Sequence, residues 1–193
     1  MNSTEWIAAA LGVTNVALVV RRSIWNYPFA VAMVSLYFFV FLDAKLYSDA
    51  LLQIFFLAIN LYGWLNWLRS RRETGKVVVS VLTPRQRLIW GTATLAVSLA
   101  WGLAMARFTD AAAPLIDAIV AGGSIAAQLL LSLRRLENWE LWIAVDLIAI
   151  PLYLGRGLYP TAALYAVFLA LSVAGLLAWQ RTLKQQREEG IAA

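Results

Sequence analysis

The chain alternates long apolar runs with short polar interruptions. Ser23 to Leu42, Ala50 to Leu68, Leu88 to Ala106 and Gly157 to Gln180 carry no charged residue at all. Each is close to the ~20 residues that a helix needs to cross a hydrocarbon core of ~30 Å. Seven apolar segments follow from this pattern, over residues 5–20, 25–42, 47–68, 87–106, 113–133, 138–155 and 159–180. The pattern predicts an all-α integral membrane protein with seven transmembrane helices.

The polar residues inside these segments are not scattered. In the sixth, Trp139, Trp142 and Asp146 stand at i, i+3 and i+7, and Tyr153 continues the same face. In the fifth, Asp117, Ala121, Ser124 and Gln128 share a face, and in the third so do Gln53, Asn60, Trp64 and Trp67. A carboxylate at the bilayer centre costs on the order of 2.5–3.5 kcal/mol on insertion scales, so it normally faces a bundle interior or a cavity. The stripes are therefore expected to turn toward a shared central pocket, with no Lys or Arg at the depth of Asp117 or Asp146. Blander readings stand beside this one. Tryptophans at helix ends, such as Trp6, Trp25, Trp67, Trp139 and Trp179, often anchor a helix at the interface, and Asn60 and Gln128 are of the type that joins helix to helix.

The sequence also repeats. Shifted by 112 residues, "KLYSDALLQIFFLAINLYGWLNW" (45–67) falls on "GLYPTAALYAVFLALSVAGLLAW" (157–179) without a gap, and the register extends back to match Asn26 with Asn138. Over residues 26–67 there are 13 identities in 42, among them Leu46/Leu158, Tyr47/Tyr159, Gly63/Gly175 and Trp67/Trp179. In segment seven the mates of Gln53, Asn60 and Trp67 are Tyr165, Ser172 and Trp179. Three helices invert a chain across the membrane, and one extra helix restores the orientation of a second copy. The expectation is a parallel 3+1+3 repeat, a kind used by transporters that bind substrate near the midplane. It divides the chain into a first repeat (1–68), a cytoplasmic linker with helix four (69–112), a second repeat (113–180) and a cytoplasmic tail (181–193).

Charge orients this arrangement. Thirteen Lys and Arg lie in the loops after segments one, three and five and in the tail, against only Lys45, Arg107 and Arg156 on the other side. The positive-inside rule then puts the N-terminus outside and the C-terminus in the cytoplasm. This explains the net charge of +5 as topology and gives no reason to expect a nucleic-acid partner. The first segment has no basic stretch before it, so it does not read as a cleavable signal peptide. Composition agrees with a membrane protein: 62% of residues are hydrophobic, against 45–50% in ordinary soluble domains. There is no cysteine and no histidine, which excludes thiolate, disulfide and imidazole chemistry. No phosphate-binding GxxxxGK[ST] loop occurs. No cofactor is expected.

"ENWELWIAVDLIAIPLYLGRGLYPTAALYAVFLALSVAGLLAW" (137–179) and "LLQIFFLAINLYGWLNW" (51–67) resemble the two halves of the PnuC family of vitamin transporters. The resemblance implies a seven-helix SWEET-like carrier in the bacterial inner membrane. Such a carrier imports nicotinamide riboside by facilitated diffusion, with phosphorylation trapping the product, and is expected to be a homo-oligomer. Thiamine and riboflavin are the alternative substrates. Carried over by motif, Asn60, Trp64, Gln128, Asn138, Trp139, Trp142 and Asp146 are the implied substrate residues. By the resemblance Glu137 sits near the cytoplasmic mouth, and Gln53, Asp117, Tyr153 and Tyr165, taken from the polar stripes and the repeat, are the expected gating and supporting residues. Arg156 stands where relatives often carry lysine. A tryptophan-walled pocket with a carboxylate suits a flat cation, since a desolvated cation–π contact contributes roughly 0.5–2 kcal/mol. A seven-helix receptor, or a membrane enzyme using Asp117 and Asp146, are the competing classes.

Overall fold

The computed structural model describes residues 3–43, 47–109 and 113–191, with side chains described at residues 6–7, 9–39, 53–109 and 113–191. Seven helices occupy them: α1 (Ser3–Val20), α2 (Asn26–Asp43), α3 (Tyr47–Thr74), α4 (Pro84–Phe108), α5 (Pro114–Ser132), α6 (Glu137–Gly155) and α7 (Tyr159–Glu188). Each apolar segment holds one helix. Two run further than hydropathy indicates, because α3 and α7 carry on through polar turns to Thr74 and Glu188. Lys45 and Leu46, used above for charge and for the repeat, lie outside the described residues.

Local chemistry sets the ends. Thr83 accepts from the Gln86 amide while the Gln86 side chain accepts from the Thr83 amide, a reciprocal cap, with Pro84 opening α4. Helices α1 and α5 stop in one shared way. Arg22 (φ 54°) and Arg134 (φ 59°) take the left-handed conformation just past the helix end. The amides of Arg22 and Ser23 bond back to Val19 and Leu18, and those of Arg134 and Arg135 to Leu131 and Leu130. The turn is then closed by an asparagine: Asn26 Nδ2 donates to Ser23 O, and Asn138 Nδ2 to Arg135 O, both at 2.6 Å. The two turns are 112 residues apart throughout.

Six helices close a ring by packing α1 on α2, α2 on α3, α3 on α5, α5 on α6, α6 on α7 and α7 on α1. Helix α4 lies outside it and packs on α5. Small residues permit the close approach, with Gly102 against Leu115 and Gly122 against Ser98. Away from α5, the middle of α4 exposes apolar side chains, including Val97, Trp101 and Leu103. Among the described residues, Pro84–Phe108, Pro114–Ser132 and Tyr159–Glu188 are long and apolar enough to cross a membrane, and Ala9–Val20 and Asn26–Phe39 form shorter apolar stretches. Charged Glu137, Glu140 and Asp146 interrupt the hydropathy of α6.

The connection 75–83 is a strap, tied in at nearly every step. The Ser80 amide donates to Arg134 O and its carbonyl accepts from Leu136 N, forming a parallel bridge. Val79 N donates to Gln186, Val78 N to Ser70 Oγ, and Leu82 N to Glu137 Oε1. Arg22 and Arg135 donate to the carbonyls of Val77 and Val81. Val77 and Val79 bury against Trp67, Trp139 and Trp179. The valine-rich patch that looks like a plain linker in sequence is a packed strut across one end of the ring.

Candidate functional site

At this end of the ring the aromatic residues form a chain. Trp64 stacks parallel to Tyr27, with ring centroids 6.4 Å apart. Tyr27 meets Trp67 edge-on at 5.4 Å, Trp67 meets Trp179 at 5.9 Å, and Trp179 meets Trp139 edge-on at 5.6 Å. The indoles of Trp67 and Trp179 are tied across the ring: Trp67 Nε1 donates to Leu131 O, and Trp179 Nε1 to Val19 O, both at 3.2 Å. These are structural bonds inside a buried cluster, so Trp67, Trp139 and Trp179 are core residues at this end and not lipid-facing anchors. Exposed Trp6 and Trp25 keep the anchor reading.

Gly63 and Gly175 make room for this chain. A Cβ at Gly63 would lie 2.7 Å from the Tyr27 hydroxyl, and one at Gly175 would lie 2.5 Å from the Trp139 ring. The matched glycines thus each accept an aromatic face from the position that follows the matched asparagine.

Asp146 sits beyond the chain on α6, 2% exposed. Ser172 Oγ on α7 donates to Asp146 Oδ2 at 3.4 Å. Val120, Val145 and Ala149 form a cluster around this level, with Trp142, Tyr153 and Tyr165 packed on it. Tyr153 and Tyr165 are 5.0 Å apart, and Phe168 follows Tyr165 at 5.9 Å. Trp142 is half-buried and touches both this cluster and the aromatic chain, so it links the two levels. Across the ring, Gln128 Nε2 on α5 donates to Asn60 Oδ1 on α3 at 3.1 Å, while Asn60 Nδ2 donates to Phe56 O. This is the helix-to-helix role that the sequence allows, and it holds the pair's polar atoms on the inner side of α3 and α5.

Several expected residues stand elsewhere. Asp117 lies in the first turn of α5 and pairs with Arg156 at 3.0 Å. The expectation that no cation reaches its depth is corrected: the helix end brings Asp117 level with the loop after α6. Glu137 is buried, accepts from Leu82 N at 2.9 Å and pairs with Arg87 at 2.7 Å, which ties the strap and α4 to α6. Gln53 lines a cavity of about 240 Å³ between α2 and α3 with Val34, Ser35 and Phe38. A second cavity, of about 190 Å³, lies at the basic end, against Arg21, Arg22 and Arg71. Neither is lined by Asp146 or Trp142.

Similarity to known proteins decides the family. A family model described as nicotinamide mononucleotide transporter matches residues 2–181. The chain belongs to the nicotinamide mononucleotide transporter family. It is 30% identical to the nicotinamide riboside transporter PnuC of Neisseria mucosa over 95% of this chain and 75% of that one. It is 26% identical to the PnuC of Escherichia coli, over 98% of this chain and 90% of the relative. A riboflavin/roseoflavin transporter, RibM of Streptomyces davaonensis, is also 30% identical, over 91% and 84%. The crystal structure of the vitamin B3 transporter PnuC superposes with a TM-score of 0.74 at 29% identity, covering 93% of this chain and 81% of that one. The resemblance noted in the sequence is thereby established. The chain is a membrane transporter by family and not an enzyme.

Sequence reasoning did not assign a role to Tyr27, and it treated Ser172 only as a repeat mate. Both were detectable. Tyr27 is the 112-residue mate of Trp139, and Ser172 is the mate of Asn60. What hid them is that a pair across two helices depends on helix rotation, which a one-dimensional stripe leaves open.

Proposed function

We propose that this chain carries nicotinamide riboside across the bacterial inner membrane by facilitated diffusion, with intracellular phosphorylation retaining the product. The observation that carries the reading is Asp146. It is a buried carboxylate whose hydrogen-bond partner among the described residues is a serine hydroxyl, with tryptophan and two tyrosines around it. A carboxylate so placed is costly unless something meets it. A pyridinium ring bearing a ribose supplies both the opposite charge and hydroxyl donors. In this reading Trp142 stacks the ring, Asp146 faces the cation, and Asn60, Gln128, Asn138, Trp139 and Trp64 bound the pocket. Tyr153, Tyr165 and Gln53 flank the path, while Asp117 and Glu137 close its two ends through their ion pairs.

The frame for this site is a parallel 3+1+3 repeat of the SWEET kind, with units 1–68 and 113–180 joined by the linker and α4 (69–112) and followed by the tail (181–193). Supporting it, α1, α2 and α3 exchange with α5, α6 and α7 throughout the ring of contacts. The left-handed arginines, the asparagine caps, the indole bonds and the aromatic-facing glycines each recur 112 residues apart. Charge asymmetry supports an outside N-terminus and a cytoplasmic C-terminus. The apolar outer face of α4 is consistent with a homo-oligomer or with lipid.

Riboflavin is the second reading, favoured by the equal identity to RibM. It is larger and neutral, so it offers a buried carboxylate hydroxyl donors but no opposite charge. Calorimetric titration of the purified chain separates them. Nicotinamide riboside is expected to bind more tightly than thiamine or riboflavin, and tightest binding by riboflavin would overturn the reading. Uptake into vesicles should survive dissipation of the proton gradient, with the solute recovered unchanged.

A further inference from the structure

The two copies of the arginine turn are alike in backbone and unlike in what their guanidinium groups do. Arg134 donates from Nη1 to Asn66 O at 2.6 Å and to Asn66 Oδ1 at 3.1 Å, so the turn after α5 is locked to the end of α3. The counterpart of Asn66 is Ala178, which keeps the backbone carbonyl but has no side-chain acceptor, and Arg22 donates instead to the Val77 carbonyl, at 3.2 Å. Where the second copy is closed, the first is open: a cavity of about 190 Å³ lined by Arg21, Arg22, Ser23, Arg71 and Lys76. The counterparts of Arg21 and Ser23 are Leu133 and Arg135, so each turn carries two arginines, and in the second copy the other one, Arg135, is tied to the Val81 carbonyl.

The charges in this cavity are not balanced from within. Lys76 pairs with Glu189, but no carboxylate is paired with Arg21, Arg22 or Arg71 among the described residues. Half-burial also lowers the Arg22 pKa by desolvation, which an anion opposite it would relieve. Three guanidinium groups around one concavity match the fork geometry that binds phosphate oxygens, and basic pockets between helices at a membrane surface are suited to anionic headgroups.

We propose that this cavity is a phosphate-binding site, separate from the transport site. It takes the phosphodiester of an anionic lipid or the phosphate of a soluble phosphorylated molecule. The phosphate bridges Arg21 at the α1 end to Arg71 at the α3 end, and Ser23 Oγ and Lys76 complete the ring of donors. Because Arg22 and Lys76 also hold the start of the strap, an occupied cavity pins the strap in place.

The test uses the full chain, delipidated in detergent, with phosphatidylglycerol, phosphatidylcholine and inorganic phosphate as probes, read by native mass spectrometry and thermal midpoint. Phosphatidylglycerol should bind and stabilise where phosphatidylcholine does not. Arg21→Gln with Arg71→Gln should weaken that binding by about 30-fold, the loss expected for two juxtamembrane cations. Arg181→Gln with Arg187→Gln, exposed on the last turns of α7 and away from the cavity lining, should change it less than about threefold on the same scale. Ala178→Asn restores the acceptor present in the other copy and removes no charge, so it should weaken binding while leaving the midpoint in phosphatidylcholine unchanged. Competition by inorganic phosphate would assign the site to soluble phosphates, and its absence to lipid. Wild-type binding by the cavity variants, or equal loss in the tail variant, overturns the proposal.

Discussion

Trp142 and Asp146 are single positions on which the candidate site turns, and their counterparts in the first copy are Ala30 and Val34. Both counterparts are buried and apolar, so the first copy has neither the ring nor the charge at these positions. The second copy keeps the backbone and changes the chemistry. Asp146→Ala and Trp142→Ala are each expected to weaken nicotinamide riboside binding by tenfold or more, at about 1.4 kcal/mol per decade, with the protein still inserted and monodisperse. Trp90→Phe on peripheral α4 should leave it unchanged, and calorimetry on the three variants checks this. Gly175 is a residue-scale case of packing. Its Cβ space is filled by the rigid Trp139 ring, so Gly175→Ala should destabilise by about 1–3 kcal/mol through overpacking. Gly155 has open space, so Gly155→Ala should not lower the thermal midpoint.

Among elements, the strap has the least regular structure and the most ties. Glu137 holds it through Leu82 N and holds α4 through Arg87. Glu137→Ala leaves the buried Leu82 amide unpartnered, at about 1–3 kcal/mol for such a group, while the half-exposed Arg87 guanidinium turns to solvent. Glu137→Gln keeps an acceptor for Leu82 N. Hydrogen exchange should therefore speed up over residues 77–82 in the alanine variant and much less in the glutamine one. Equal protection in both would mean that burial of Val77 and Val79, and not the Glu137 bond, holds the strap. The valine patch "KVVVSVL" suggests a β-forming stretch in isolation, yet no partner strand follows in sequence. Its partners are the Arg134–Leu136 turn and the end of α7, which only folding brings near.

For the molecule as a whole, orientation is the property most open to test. The chain has no cysteine, so single cysteines report topology directly. Tyr159→Cys, at the exposed start of α7, should react with an impermeant maleimide in intact cells, while Arg72→Cys at the end of α3 should react only after lysis. The reverse pattern would invert the arrangement and put the phosphate cavity on the outer face.

Hydropathy alone determined the number of helices and most of their ends, because an apolar run in lipid has no other way to satisfy its backbone. The 112-residue register was equally legible, since Asn, Gly and Trp matched in one frame mark the same turn, close approach and indole bond in each copy. Which face of each helix looks inward was legible only as a stripe. It paired Asp117 with Asp146 by chemistry, and the fold separates them because Asp117 sits at a helix end beside Arg156. The Asn60–Gln128 bond, the strap and the open arginine turn depend on how helices from opposite halves rotate against one another, and the serine on Asp146 on how α6 and α7 do. That rotation is decided by packing across the ring, where contacts join residues from 26 to 160 positions apart, and no local pattern in the chain encodes it.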